Sequence, residues 1–205
     1  SHLRMYNQYF PPYRAAAEAG AGRFMSSFNI VDGVPATANK WLLTDVLRRQ
    51  WKSDAFVVTD YGSIGEMVVH GVGDIASSSA QALKAGTDMD MCSEGFLKTL
   101  DGSVKSGNVS MADIDTACRR VLEAKYKLGL FQNPYKYCDK KRRAKDVLTK
   151  ENRIAARNMA AETFVLLKND NHLLPLKREG KIALIGPLAN NRANMEGTWS
   201  VAAVP

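Results

Sequence analysis

The stretch Ala55-Phe56-Val57-Val58-Thr59-Asp60-Tyr61-Gly62 constrains this chain more than any other. The apolar, β-branched run from Ala55 to Val58 reads as a short buried strand. An ionisable residue follows at once, and then a glycine that lets the chain turn. That order puts Asp60 just past the carboxyl end of the strand, the edge where parallel α/β sheets and barrels place their chemistry. Locally, two readings stand side by side. Asp60 is either a catalytic carboxylate or a cap that anchors the next helix.

The flanking segments extend the pattern. Residues 5–19 suit a helix that Pro11-Pro12 interrupts or restarts. Residues 23–29 alternate as a strand does, and Asp32-Gly33 signals a turn. Asn39 is placed to cap a helix that buries Leu42, Leu43, Val46, Leu47 and Trp51. After the central strand come a helix over 63–69, a loop over 71–74 and a helix over 77–85 closed by Gly86. Thr87 to Met91 reads as a third strand. Ser110 and Asp113 form a capping box that opens a helix with Ile114, Ala117, Cys118, Val121 and Leu122 on one face. Gly129 ends it, and Cys118 is expected to be a buried thiol.

Three strand-then-helix units in succession predict a parallel α/β architecture. They are too few to close a barrel, which takes eight strands and about 250 residues. The chain is therefore a small open sheet or the back part of a barrel. From 131 to 149 apolar periodicity fades and charge rises, as in a linker. Helix resumes over 150–166, and 181–187 reads as a buried strand that begins a new α/β unit.

The net charge of +7 permits contact with anionic partners without requiring it. Its sharpest cluster, Lys140-Lys141-Arg142-Arg143, has no interleaved aromatics on which bases would stack, so it reads as a solvated linker and no nucleic-acid partner is expected. Three widely spaced cysteines and three scattered histidines give neither a disulfide framework nor a metal site. No apolar run is long enough to cross a bilayer. Ser1-His2-Leu3-Arg4 lacks the hydrophobic stretch of a secretory signal, as the start of a mature secreted chain also would.

Several stretches together resemble glycoside hydrolase family 3, the β-glucosidase and β-xylosidase family. They are M-S-S-F-N-I-V-D-G-V-P-A-T-A-N from Met25, V-V-T-D-Y-G from Val57, A-G-T-D-M-D-M from Ala85 and Y-K-L-G-L-F from Tyr126. L-L-K-N from Leu166, L-P-L from Leu174 and I-G-P-L-A from Ile185 complete the set. Their order and spacing span nearly the whole chain, and among subgroups they look most like bacterial periplasmic β-glucosidases.

The resemblance implies that residues 1–130 are the C-terminal part of a (β/α)8 TIM-type barrel. Residues 131–149 would be a linker, and 150–205 the start of an α/β sandwich domain. It implies hydrolysis of terminal non-reducing β-D-glucosyl residues by a retaining double displacement, with Asp60 as nucleophile. Met25 and Phe28 match positions that line the sugar pocket, and Phe28 stands where relatives often carry Tyr. Tyr61 follows the nucleophile as a stacking platform for sugar. Asp88 and Asp90 would hold loops at the top of the barrel, and Glu66 a surface or capping position. A β-xylosidase of the same family, or a non-catalytic carbohydrate-binding fragment, is the alternative.

The family's sugar-binding Lys-His pair, with its upstream Arg and Asp, and its acid/base Glu have no counterpart in these residues. The chain is thus expected to be a fragment of a larger hydrolase, inactive alone. Its substrate would be a β-glucoside or oligosaccharide, with no cofactor and no metal, in the periplasm or outside the cell. Exposed barrel edges would let copies associate.

Overall fold

A computed structural model describes residues 2–195 and 197. The chain divides into two units, residues 1–140 and 141–205.

The first unit opens with helical turns, α1 (His2–Arg4) and a π-type stretch Met5–Tyr9, that run into α2 (Phe10–Glu18). Pro11-Pro12 sit in the first turn of α2, where a missing N–H costs nothing, so they restart the helix and do not break it. Strand β1 (Arg23–Met25) follows. It is shorter than the 23–29 strand expected, because the chain leaves the sheet after Met25 to form a hairpin. That hairpin pairs β2 (Ile30–Val31) with β3 (Val34–Pro35) across Asp32-Gly33, both at positive φ, the conformation its two-residue turn requires.

A π-helix, Trp41–Gln50, comes next. Asn39 holds its start: its Oδ1 accepts the Leu42 N–H at 3.1 Å and its Nδ2 donates to the Val31 carbonyl at 3.1 Å. Leu43, Val46 and Leu47 are buried, and Leu42 and Trp51 pack against the same cluster. Strand β4 (Phe56–Val58) lies parallel to β1 in the register Arg23↔Phe56, Phe24↔Val57, Met25↔Val58. The expected third strand, 87–91, runs beside β4 with one parallel bridge, Val58 to Met89, and the Asp88 and Met89 N–H groups donate to the Val57 carbonyl at 2.8 and 3.0 Å. The order β1, β4, Met89 is that of successive strands in a parallel sheet.

Four helices follow β4 in the first unit. They are α3 (Ser63–Val69), α4 (Ile75–Ala85), α5 (Gly95–Lys105) and α6 (Met111–Lys127). Asp74 caps α4 by accepting the Ser77 N–H at 2.7 Å. Gly86 ends it at φ +113, with Thr44 Oγ1 at 3.0 Å from where a β-carbon would sit. Conformation and space thus both favour glycine there. Helix α5 was not anticipated, although Phe96, Leu100 and Val104 recur at helical spacing and pack on Ala80, Leu83, Val109 and Ala117. The capping box of α6 is present as expected, with Asp113 N–H on Ser110 Oγ and Ser110 N–H on Asp113 Oδ2.

The buried face of α6 is narrower than its sequence implies. Ala117 is buried, Ile114 and Val121 are half-buried, and Leu122 is exposed. Cys118 is exposed too, correcting the expectation of a buried thiol. The layer beneath α6 reaches Ala117, but Cys118 lies one helical step round, on the solvent side.

In the second unit, α7 (Arg142–Asp146) and α8 (Lys150–Glu162) are helical. Helix α8 stops four residues short of the expected end. Residues 181–187, expected as a buried strand, form none: Ile182, Leu184 and Ile185 are 68, 76 and 90% exposed. A strand is completed by hydrogen bonds to a neighbour, and the described residues offer this segment no partner.

Candidate active site

Parallel pairing aims the carboxyl ends of β1 and β4 the same way. Val57, Val58 and Thr59 are buried, Asp60 is half-buried, and the chain then turns back toward α3. Gly62 makes that turn at φ +71, a left-handed conformation that glycine adopts without strain. The Ser63 N–H donates to the Asp60 carbonyl at 3.2 Å. Helix α3 starts at Gly62 without a side-chain cap. The helix-anchor reading of Asp60 therefore does not describe this structure. Its Oδ1 accepts the Tyr61 N–H at 2.7 Å, a bond that orients the carboxylate.

Met25 ends β1 opposite Val58, two residues before Asp60, and is 55% exposed. Phe28 is half-buried in the irregular run after β1, and Tyr61 is 65% exposed beside Asp60. Met25, Asp60 and Tyr61 thus lie at or just past the carboxyl end of the sheet, and Phe28 lies three residues beyond β1. A hollow of about 600 Å³ lies between the N-terminal helical turns, β1 and the π-helix, lined by Tyr9, Phe10, Phe24, Leu43 and Trp51 among others. Of the four candidates, only Met25 reaches it. The hollow is largely apolar and lacks Asp60, so the chemistry of the sheet edge lies outside it.

The other acidic residues sort by their contacts. Asp88 is buried. Its Oδ2 accepts the Val57 N–H at 2.8 Å and pairs with Arg48 at 2.8 Å, and its Oδ1 pairs with Arg120 at 2.7 Å. Arg48 also donates to the Ala55 carbonyl. This cluster ties the π-helix, β4 and α6 together at the amino end of β4. Burial pushes the Asp88 carboxyl above its ordinary range, opposed by the Val57 N–H and both guanidiniums. Burial, then repulsion from Arg120, pulls Arg48 down to about 10.

Asp90 works at the other end. Its Oδ2 accepts N–H bonds from Gly95 at 2.7 Å and Phe96 at 3.3 Å, and its Oδ1 accepts one from Ser93 at 3.3 Å. It holds the loop that leads into α5. Glu66 and His70 are exposed on and just after α3.

Sequence reasoning missed a buried chain of hydroxyls, Ser26 to Thr37 at 2.8 Å and Thr37 to Ser63 at 2.7 Å. It joins the end of β1 to the first turn of α3 beneath the Asp60 turn. No periodicity marks it, since its members come from three separate segments. Among the described residues no cluster of three or more His, Cys, Asp or Glu has the geometry of a metal site.

Known proteins resemble this chain along its whole length. The family model described as "Glycosyl hydrolase family 3 N terminal domain" matches residues 1–124, and "Glycosyl hydrolase family 3 C-terminal domain" matches residues 164–205. A periplasmic β-glucosidase from Salmonella typhimurium is 44% identical over 208 residues, covering 100% of this chain and 27% of its own length. A β-xylosidase from Formosa agariphila is 35% identical, covering 98% of this chain and 29% of its own. The crystal structure of a β-glucosidase from Listeria innocua superposes with a TM-score of 0.82 at 41% identity, over 93% of this chain and 26% of that one. The same enzyme in complex with glucose gives 0.81 at 42% identity, with the same coverage. The chain thus spans between a quarter and a third of the length of these relatives.

Proposed function

This chain belongs to glycosyl hydrolase family 3, and from that premise we propose that it is part of a retaining β-glucosidase with Asp60 as its nucleophile. On this reading residues 1–130 are the last part of an eight-stranded barrel, 131–149 a linker, and 150–205 the start of a sandwich domain. The parallel order β1, β4, Met89 is that of consecutive barrel strands. In such barrels the carboxyl ends of the strands carry the chemistry.

The observation that carries the reading is the position of Asp60. It stands at the carboxyl end of a buried strand, and its carboxylate is not consumed as a helix cap. A retaining glycosidase needs two carboxyl groups about 5 Å apart. Asp60 would attack the anomeric carbon while an acid protonates the departing glycosidic oxygen. That oxygen leaves as an alcohol and a glycosyl ester remains on Asp60. Water, deprotonated by the former acid, then cleaves the ester. On this reading the acid/base Glu belongs to the second domain. Met25, Phe28 and Tyr61 would face the sugar, with Tyr61 offering a ring to stack on. The Salmonella relative's name supports a periplasmic setting.

The Formosa relative supports a second reading, a β-xylosidase. Comparing kcat/KM of the full-length protein on aryl β-glucoside and aryl β-xyloside separates the two.

Incubating the full-length protein with a 2-deoxy-2-fluoro-β-glucoside bearing a good leaving group tests the nucleophile. A covalent adduct mapped to Asp60, lost in Asp60→Ala, is expected. An adduct on another residue would overturn the assignment. The 205-residue chain alone should show no turnover of an aryl β-glucoside.

A further inference from the structure

We propose that Thr59 is a positioning residue for Asp60, acting through the loop that follows Met89. The proposal rests on Asp60 being the nucleophile. Thr59 immediately precedes Asp60 and is fully buried. Its N–H donates to the Met89 carbonyl at 2.9 Å, and its Oγ1 accepts the Met91 N–H at 2.8 Å. Three residues further on, the Gly62 N–H donates to the Met91 carbonyl at 2.8 Å. Met91 is therefore held on both sides, its N–H by the Thr59 hydroxyl and its carbonyl by Gly62. Asp60 and Tyr61 are the span between those two attachments. One residue of the neighbouring loop brackets the backbone that carries the nucleophile.

The bracket is only as firm as the loop that supplies it, and that loop is fixed by two sets of contacts. Asp90 accepts N–H bonds from Ser93, Gly95 and Phe96. Ser93 Oγ accepts the Gly65 N–H at 3.2 Å, tying the loop to α3. Cys92 and Glu94 sit at φ +67 and +54, left-handed conformations that non-glycine residues keep where the surroundings over-determine them. The loop is a rigid abutment, and the Thr59 hydroxyl is the side-chain contact through which it engages the Asp60 turn.

Removing that hydroxyl orphans the Met91 N–H and releases one end of the bracket. Displacing a reacting group by about 1 Å costs on the order of 100-fold in rate. Thr59→Val keeps the shape of the side chain and loses the acceptor, whereas Thr59→Ser keeps the acceptor. Thr87→Val is the matched control. Thr87 is equally buried, and its Oγ1 donates to the Thr37 carbonyl at 2.8 Å, at the opposite end of the 87–91 segment. It removes a buried hydroxyl of the same kind without touching the bracket.

The experiment measures the rate at which the full-length enzyme and its variants are labelled by a 2-deoxy-2-fluoro-β-glucoside, at matched folded fraction. Thr59→Val is expected to slow labelling by about 10- to 100-fold, with Thr59→Ser and Thr87→Val within about threefold of the unaltered protein. Labelling of Thr59→Val at the unaltered rate would overturn the proposal. So would an equal slowing by Thr87→Val, which would mark the effect as general destabilisation. Should Thr59→Val not fold, Asp90→Asn, which weakens the abutment, carries the same expectation in the same assay. Failure of the unaltered protein to take label on Asp60 is a separate result, and it removes the nucleophile reading itself.

Discussion

In the first unit Val57, Thr59, Ile64, Ser78 and Ala82 are sealed from solvent. In the second, no described residue is buried, and Phe164, Leu167 and Ile185 stand 82, 90 and 90% exposed. Both units contain capped helices and apolar runs. The difference lies in the facing layer. Ile64 and Met67 of α3 meet Ala82 of α4, with Phe96 of α5 packed against them. Residues 181–187 have the apolar content of a core strand and no layer among the described residues to receive it. A segment earns its place in a core by removing apolar surface from water, about 1.5–3 kcal/mol for each large side chain. That gain is a property of the pair of surfaces and not of either sequence alone.

The comparison predicts where substitutions hurt, and the largest effect belongs to Asp88. Asp88→Ala leaves Arg48 and Arg120 without their shared counter-ion inside the first unit. The expected loss is about 3–5 kcal/mol in urea unfolding, the cost of stranding a buried charge. An unchanged midpoint would show that the first unit does not rest on this junction.

Two isoleucines sharpen the contrast next. Ile64→Ala removes a fully buried side chain and should cost about 2–5 kcal/mol. Ile185→Ala should stay within about 0.5 kcal/mol. Equal losses would erase the distinction between the units.

The smallest effect compares two helix caps. Ser110 Oγ accepts the Asp113 N–H at the start of α6, and Thr149 Oγ1 accepts the Asn152 N–H at the start of α8. Each cap is worth about 1 kcal/mol. Ser110→Ala should lower the unfolding midpoint of the first unit, because α6 packs on its core through Ala117. Thr149→Ala should only reduce the local helical signal of α8.

The α6 cap also carries a pH signature. The Ser110 hydroxyl, and then its N–H, hold the Asp113 carboxyl below the ordinary carboxylate range. A folded-state pKa that is depressed stabilises the fold above the unfolded value, about 3.9, and the contribution is lost as pH falls through the folded value. Ser110→Ala should therefore flatten the acid limb of the stability profile while leaving its slope near neutral pH unchanged.

Much of the first unit was legible residue by residue. The Asp32-Gly33 turn, the Asn39 contact with the π-helix, the 63–69 helix, the Gly86 terminus and the Ser110–Asp113 box are each written within a few adjacent positions. The candidate site was legible to the same depth. Val57-Val58-Thr59-Asp60 reads as strand then carboxylate, and the structure puts Asp60 at the strand's end. Illegible were the contacts that join distant segments: the Asp88 pairs with Arg48 and Arg120, the Ser26–Thr37–Ser63 hydroxyl chain and the Thr59–Met91 bond. Helix α5 escaped although its stripe is regular, because Gly95 and Gly102 lower its helix propensity, and its packing residues count only once α4 lies beneath them.

By itself, then, the sequence determined the turns, the caps and the succession of strand and helix in the first unit, since those follow from sterics and hydrogen bonds within a turn or two of chain. Only the tertiary structure decided that Cys118 faces solvent, that 87–91 runs beside β4 with one bridge, that 181–187 is not a strand, and that Asp60 caps no helix. Each of those outcomes depends on what stands across from the residue, and residues far apart in the chain supply it.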